Sequence, residues 1–535
     1  MSGPILMGPF KMPMMRDFVP KKVQPWLYVF IAAVFQLTGV VYLGSMGQMV
    51  GTTPLTQEDI MMIVFFGIVG VNMPFPFLFR FKFHFTNKQL LATHATIILI
   101  CNFIAMYTTF MPLLCVMSYM AGFSKLCGTF ECMSNIQLWM TPKRDFTIFF
   151  PFLYIIVLGD IQMSSYVAAY INFLYDWQAM NWLVIGLLCM VILIIVTCTK
   201  QFRFMKPLPL YSMDWLGCLL WSALLLEIVY IFNYGEYYNW FDSNNICVVT
   251  LALVPTGYFC IGRMMHIRHA YIERAAWNYH HLFTLLGLFL VTEILAAAPD
   301  VLQSIVIRNV LHYDSLHTAD LYLFGVLGIL LGSWFTWQWT HKWKLSYVRL
   351  IAIGYMGILA YHITMYTIIM PGINIEQFYA PTIAKMFGET IIFCALTIYL
   401  EEIMPFQHFF MGLTIIGMIR TGVGQAVGSA IYSFGTRYFI ADNTAHYAGT
   451  ISCVRAGLLE QKHQANLPQI ISNFMLQMQM VSVKQLFGIT CVCGLAFVLF
   501  LLVYDVPVRS SLKKMPYWEA LGRKMKKEMK WEQSL

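Results

Sequence analysis

The sequence predicts an all-α integral membrane protein that crosses the bilayer fourteen times. Three observations carry that reading. Of 535 residues, 59% are hydrophobic and 11% charged, against roughly 25% charged in soluble domains. Fourteen apolar runs are long enough to span, since a helix needs about twenty mostly apolar residues to cross the hydrocarbon. The loops between the runs alternate between basic and acidic, as they must if they lie on opposite sides of one membrane.

In order, the runs fall near residues 26–48, 60–79, 90–109, 112–139, 147–173, 179–198, 214–234, 246–264, 281–305, 320–339, 348–370, 379–404, 409–434 and 485–504. Basic loops carry Arg80, Lys82 and Lys88, then Lys143 and Arg144, then Lys200, Arg203 and Lys206, then Arg263, Arg268 and Arg274, then Lys342, Lys344 and Arg349. Acidic turns between them carry Glu58 with Asp59, Asp176, Glu236 with Asp242, and Glu376. Basic loops face the cytoplasm, so both termini are expected inside, including the tail with Lys513, Lys514, Arg523 and Lys530. Glu401 and Glu402 fall at a cytoplasmic end, which the rule tolerates because it counts Lys and Arg. The first 25 residues, with Lys11, Arg16, Lys21 and Lys22, read as a retained cytoplasmic segment and not as a signal peptide.

The net charge of +8 sits in short clusters between oily segments, which is a topology signal and argues against nucleic acid as a partner. Of the 13 cysteines, most, such as Cys101, Cys189, Cys218 and Cys394, stand alone inside apolar runs, and no CxxC pair occurs. Neither a disulfide framework nor a zinc site is supported, and no cofactor is expected.

Away from the ends of the runs lie nine charged residues: Lys125, Glu131, Asp160, Glu227, Glu293, Asp300, Lys385, Glu389 and Arg420. Each, unpaired, costs about 2.5–3.5 kcal/mol at the bilayer centre. They must therefore pair or face a hydrated interior, and a polar cavity is the economical inference. A carboxylate in such a cavity can take up a proton on one side and release it on the other. The proton-coupling candidates are Asp160 and Glu293, each about mid-span, with Asp300, Glu389 and Glu131. The plain alternative is a buried acid that ties helices together. It is the stronger reading for Glu389, four residues after Lys385, where an i,i+4 pair neutralises itself. The 36 Met and 42 Phe suit a cavity that re-packs around lipophilic substrates, although most such side chains serve as lipid-facing filler.

"YGEYYNWFDSNNI", residues 234–246, is an aromatic turn of the kind that sits at the membrane interface. Together with the preceding run it reads "DWLGCLLWSALLLEIVYIFNYGEYYNWFDSNNI". This resembles the seventh span and following turn of the fourteen-helix drug/proton antiporter branch of the major facilitator superfamily, the EmrB-type pumps. Asp214, Trp215, Leu216, Gly217, Gly235, Glu236, Trp240, Phe241, Ser243 and Ile246 carry the match. A second stretch, "IRTGVGQAVGSAI", keeps that branch's arginine and small residues as Arg420, Gly424 and Gly428.

The resemblance implies a major facilitator fold with two six-helix bundles, 26–199 and 276–505, and two inserted helices within 200–275. A cytoplasmic segment, 1–25, would precede them and a basic tail, 506–535, would follow. It implies a substrate site near the midplane between spans one, four, nine and twelve, with bundles that rock to alternate access. Lys125, Lys385 and Gln36 are then the substrate-cavity candidates. It also implies proton-coupled export of drugs, dyes or bile salts across a bacterial inner membrane, no enzymatic activity, and a periplasmic membrane-fusion adaptor with an outer-membrane channel as partners. Residues 435–484 are expected to form two short helices outside the membrane.

The pattern departs in three places, one of them the loop after span two, "FRFKFHFTNKQL", which keeps basic residues without the branch's glycine and aspartate. Gln36 stands in the span-one region where the branch carries an aspartate, and "VMSYMAGFSKLCGTF" has no arginine, Lys125 being the nearest cation. An uncoupled facilitator or sensor therefore remains an alternative. The enzyme alternative is a membrane-bound iron oxygenase or desaturase built on His266, His269, His280 and His281, but such sites need roughly eight histidines and the other nine here scatter.

Overall fold

Polar residues set the helix boundaries. Thr56 and Asp59 form a reciprocal capping box at one start, and Thr86 and Gln89 form another; each pair satisfies two backbone donors that the first turn leaves open. Asp145 caps the next long helix through the Thr147 N–H at 3.0 Å. The computed structural model describes residues 15–38, 41–141, 145–202, 209–211, 213–267, 269–279, 281–370, 372–448 and 467–512. Lys143, Arg144, Arg203, Lys206, Arg268, His280 and residues 513–535, which carry the basic tail, lie outside them.

The helices are α1 (Gln24–Leu37), α2 (Val41–Thr52), α3 (Gln57–Asn72), α4 (Leu78–His84), α5 (Asn87–Tyr107), α6 (Met111–Met140), α7 (Phe146–Leu174), α8 (Trp177–Cys198), α9 (Trp215–Gly235), α10 (Asn244–His266), α11 (Leu282–Ala298), α12 (Ser315–Trp337), α13 (Tyr347–Ile368), α14 (Tyr379–Ile403), α15 (Phe406–Gly417), α16 (Gln425–Ala448) and α17 (Leu467–Leu512). Each of the fourteen apolar runs falls on this series. Thirteen helical stretches among the described residues are long and apolar enough to cross a membrane. The first run is divided between α1 and α2. Wider π-helical turns continue α11 at Pro299–Gln303 and Val306–Val310, and join α15 to α16 at Met418–Gly424.

Small residues set the closest packing. A Cβ on Gly122 would lie 2.1 Å from the Gly67 carbonyl oxygen, and one on Gly70 would lie 2.2 Å from that of Tyr119, so α3 and α6 touch backbone to backbone. Gly354 and Gly388 do the same for α13 and α14.

The first six spans and the last six meet where α7 packs on α12 and α14 and where α3 meets α15. The α7 and α12 helices run antiparallel, tied by the Asp145–His341 contact at 3.4 Å, and a Cβ on Gly325 of α12 would lie 3.1 Å from the Gln162 Oε1 of α7. At the α3–α15 pair, Asn72 Nδ2 donates to the Gly417 carbonyl at 3.2 Å. The inserted α9 leans on the start of α3, where Tyr234 donates to Asp59 at 2.5 Å and Asn233 to the Glu58 carbonyl at 2.9 Å. Its neighbour α10 is outermost, with Val248, Leu251, Val254 and Tyr258 exposed as a lipid-facing side requires.

One end gathers the basic loops. There Arg16 N–H meets the Cys198 carbonyl at 2.8 Å, Lys200 pairs with Asp17 at 2.8 Å, and the Tyr347 hydroxyl donates to Glu402 at 2.8 Å. The acidic turns lie at the other end.

Two expectations are corrected. Lys82 is not a loop residue: it sits on α4, is buried, and reaches Glu131 of α6 at 3.0 Å. Where the segment 435–484 is described, the short helices expected there are instead extended ends of spans, and residues 449–466 lie outside the described residues. The α16 helix runs on to Ala448, and α17 begins at Leu467 and continues unbroken into the last span. They hold each other through Asn443 Nδ2, which donates to Ser482 Oγ at 2.9 Å and Gln485 Oε1 at 2.8 Å; that pairing supports more polar helix than hydropathy alone would.

Candidate functional site

Where the bundles meet, the facing sides of α1, α3–α7 and α14–α16 enclose a cavity of about 600 Å³. It runs from Gln36, Asn72 and Lys125 to Phe83, Leu138 and Phe146 near the basic end. Its aromatic wall follows from the sequence of α4, "LFRFKFH", in which Phe79 and Phe83 recur one turn apart. Phe79 meets Phe410 edge to face at 4.6 Å and Phe130 at 5.4 Å, so rings from α4, α6 and α15 form one apolar surface.

Among the described residues, the charged side chains that line this space are Lys82, Lys125 and Arg420. Each has a carboxylate behind it that is not part of the lining. Lys82 Nζ donates to Glu131 at 3.0 Å, and also to Ser134. Arg420 Nε donates to Glu293 of α11 at 3.2 Å while its guanidinium lies 3.7 Å from the centre of the Phe393 ring. Lys125 donates to the Gln36 carbonyl at 2.8 Å, and Asp160 of α7 acts on it electrostatically. Asp160 Oδ2 is buried without a hydrogen-bond partner among the described residues. Gln36 in turn donates to Thr129 at 3.0 Å, so the residue standing in the usual aspartate's region fixes α1 to α6.

A second polar group lies inside the last six spans, away from the cavity. Lys385 and Glu389 pair at 3.5 Å along α14, as their i,i+4 spacing implies, and Asp300 on the π-turn after α11 interacts with both. Tyr361 donates to Gln303 at 2.8 Å beside them. His362, 1% exposed, has no hydrogen-bond partner at either ring nitrogen among the described residues. Of the substrate-cavity candidates the structure thus brings Lys125 and Gln36 to the cavity and places Lys385 elsewhere. None of the five proton-coupling candidates lines it, and sequence reasoning missed Lys82 as a lining cation. The Phe79/Phe83 periodicity through "LFRFKFH" is the signal that could have placed Lys82 on a helix. Glu227 faces Thr256 of α10 at 3.0 Å, inside the inserted pair.

The motif residues act as joints. Asp214 caps α9 by accepting from the Gly217 N–H at 2.9 Å, accepts from the Tyr271 N–H at 3.0 Å, and pairs with Arg263 of α10 at 2.7 Å. Burial opposes its ionised form, but Arg263 and the two N–H donors outweigh that and hold its carboxyl below the usual value. A Cβ on Gly217 would strike Asp214 itself. In the aromatic turn Asn239 and Trp240 adopt left-handed backbone, which folds the Trp240 ring onto Gly235, where a Cβ would lie 2.9 Å from it. Glu236 pairs with Arg437 of α16 at 2.7 Å, and Phe241 is exposed. Gly424 and Gly428 lie against α11 at Glu293 and Ala297.

Of the histidines in the enzyme alternative, His266 bonds the Gly262 carbonyl at 2.7 Å and His269 lies 3.9 Å from Glu273. No three His, Cys, Asp or Glu side chains converge as a metal site among the described residues.

A two-bundle helical protein with a cavity at the bundle junction is the architecture of the major facilitator fold, and solved structures agree. A peptide transporter POT mutant in complex with alafosfalin matches with TM-score 0.53 at 13% identity, covering 89% of this chain and 96% of that one. A mutant in complex with sulfate matches at 0.51 and 12%, covering 91% and 97%. The POT family transporter PepTSo matches at 0.50 and 12%, covering 89% and 99%. These proteins are transporters, not enzymes, and at such identity the likeness establishes the fold. No family model matches the sequence, and no curated protein matches it significantly.

Proposed function

We propose that the chain is a proton-coupled secondary active transporter that exports lipophilic or amphipathic small molecules by alternating access. The observation that carries this reading is the cavity at the junction of the two bundles, walled by rings and lined by cations whose carboxylates stand behind them. Rocking about the α7–α12 and α3–α15 pairs would expose it to either side in turn.

The last six spans supply the proton site. Glu293, Asp300 and Glu389 share the cations Lys385 and Arg420, so one proton on the group balances its charge within the span region. Arg420 belongs to both regions: it lines the cavity and holds Glu293. Substrate and Glu293 thus draw on one side chain, and that shared contact is where the two fluxes would be linked.

The basic end is the cytoplasmic one, in a bacterial inner membrane. The joined extensions of α16 and α17 at the opposite end are where a membrane-fusion adaptor leading to an outer-membrane channel would dock.

The test is accumulation of taurocholate and ethidium in pump-deficient cells expressing the chain, with and without an uncoupler. Efflux that stops with the uncoupler, and that Glu293→Gln converts to exchange without uphill movement, supports the reading. Efflux indifferent to the uncoupler replaces it with a facilitator, and no efflux of either compound removes export.

A further inference from the structure

We infer that the molecule this cavity takes carries a negatively charged group on an apolar body. The inference rests on the transport reading above and narrows its substrate class. Lys82, Lys125 and Arg420 are the charged side chains among the described residues that face the space, while Glu131, Asp160 and Glu293 lie outside the lining. A cationic compound would meet three positive charges there and no facing carboxylate. Inside a low-dielectric wall that repulsion is weakly screened. An anion meets the opposite field.

The donors suit such a group. An ammonium has three N–H donors, and the Gln36 carbonyl takes one of those of Lys125, leaving two for a carboxylate or sulfonate. Arg420 spends its Nε on Glu293, and its two terminal nitrogens form the fork that binds oxyanions in pairs. The apolar half has its own wall in Phe79, Phe130 and Phe410, whose mutually perpendicular rings offer both faces and edges to a flat or ring-built body. Among the described residues, no acidic side chain stands where a cationic head would need one.

The test uses matched probes, 1-pyrenebutyrate and (1-pyrenebutyl)trimethylammonium, with the purified full-length chain. Binding is read by fluorescence anisotropy in non-ionic detergent, and uptake in proteoliposomes under an imposed pH gradient. The butyrate should bind about tenfold more tightly or better, the scale of one charge-assisted hydrogen bond. Lys125→Arg should keep that preference. The charge-balanced pair Lys125→Gln with Asp160→Asn, which leaves no buried unpaired ion, should weaken it severalfold, Lys82 and Arg420 still facing the space. Equal or tighter binding of the ammonium probe, or a preference that the double substitution leaves unchanged, overturns the inference. Butyrate binding that follows Lys125 without uptake of either probe keeps the anion site and removes the transport reading. Uptake of the ammonium probe alone does the reverse.

Discussion

Replacing Lys82 by Met should destabilise the protein more than any single exposed charge could, and the reason is local. Glu131, its partner at 3.0 Å, has a side chain 1% exposed, and Lys82 itself is 7% exposed. With the lysine gone, Asn135 Nδ2 at 3.4 Å is a poor substitute, so a carboxylate stays buried and uncompensated. Breaking a buried pair in this way costs about 3–5 kcal/mol, whereas replacing both partners by neutral groups of similar volume is nearly neutral. Lys82→Met should therefore lower the thermal unfolding midpoint in detergent by several degrees. The double variant Lys82→Met with Glu131→Leu should recover most of the loss. The assay is tryptophan fluorescence on heating of wild type, both single variants and the double. Additive single effects, with no recovery in the double, would refute the account of Glu131 as an acid held by Lys82.

Gly428→Leu should force α16 from α11, because even a Cβ there lies 2.8 Å from that of Ala297, about 1 Å inside ordinary carbon contact; a loss of about 1–3 kcal/mol should appear as a lower unfolding midpoint. Asp214→Asn should cost about 1–3 kcal/mol at neutral pH by leaving Arg263 poorly paired. Because the folded carboxyl of Asp214 titrates below its usual value, its contribution is complete above about pH 4 and lost as pH falls through the folded value. The gap between the unfolding midpoints of wild type and Asp214→Asn should therefore close in acid, and a gap that persists there contradicts the ion-pair account. Arg437→Gln breaks a pair with Glu236 in which the arginine is half exposed, so its effect on stability should stay below about 1 kcal/mol.

The spans were legible because burial in hydrocarbon selects for long apolar runs whatever the partners are, and all fourteen runs lie on the helices found. The ends of the last two were not. Residues 435–448 and 467–484 mix Arg437, Asn443, Gln477 and Lys484 with apolar residues, and what keeps them helical is their contact with each other through Asn443 and Ser482. A window that averages hydropathy cannot register a partner more than thirty residues away. Lys82 was misplaced for a related reason: the rule that assigns basic residues to loops has no knowledge of Glu131 waiting on another helix.

The site shows the same boundary more sharply. Lys385 and Glu389 were read correctly as a pair, since i,i+4 spacing puts them on one face; their distance from the cavity follows from helix geometry. At about 100° per residue, Lys385 lies about 120° around α14 from Thr397, the α14 residue that lines the cavity. Which face of α14 meets the other bundle is decided by α7, through the Tyr154–Thr397 hydrogen bond at 2.7 Å, and not by α14 itself. The pairs that shape the site, Lys82 with Glu131 and Arg420 with Glu293, each cross between helices far apart in the chain. Intramembrane charge requires that partners exist. The packing of glycine-bearing helices, α3 on α6 and α16 on α11, chose them, and in doing so turned the cations toward the cavity and the acids away from it.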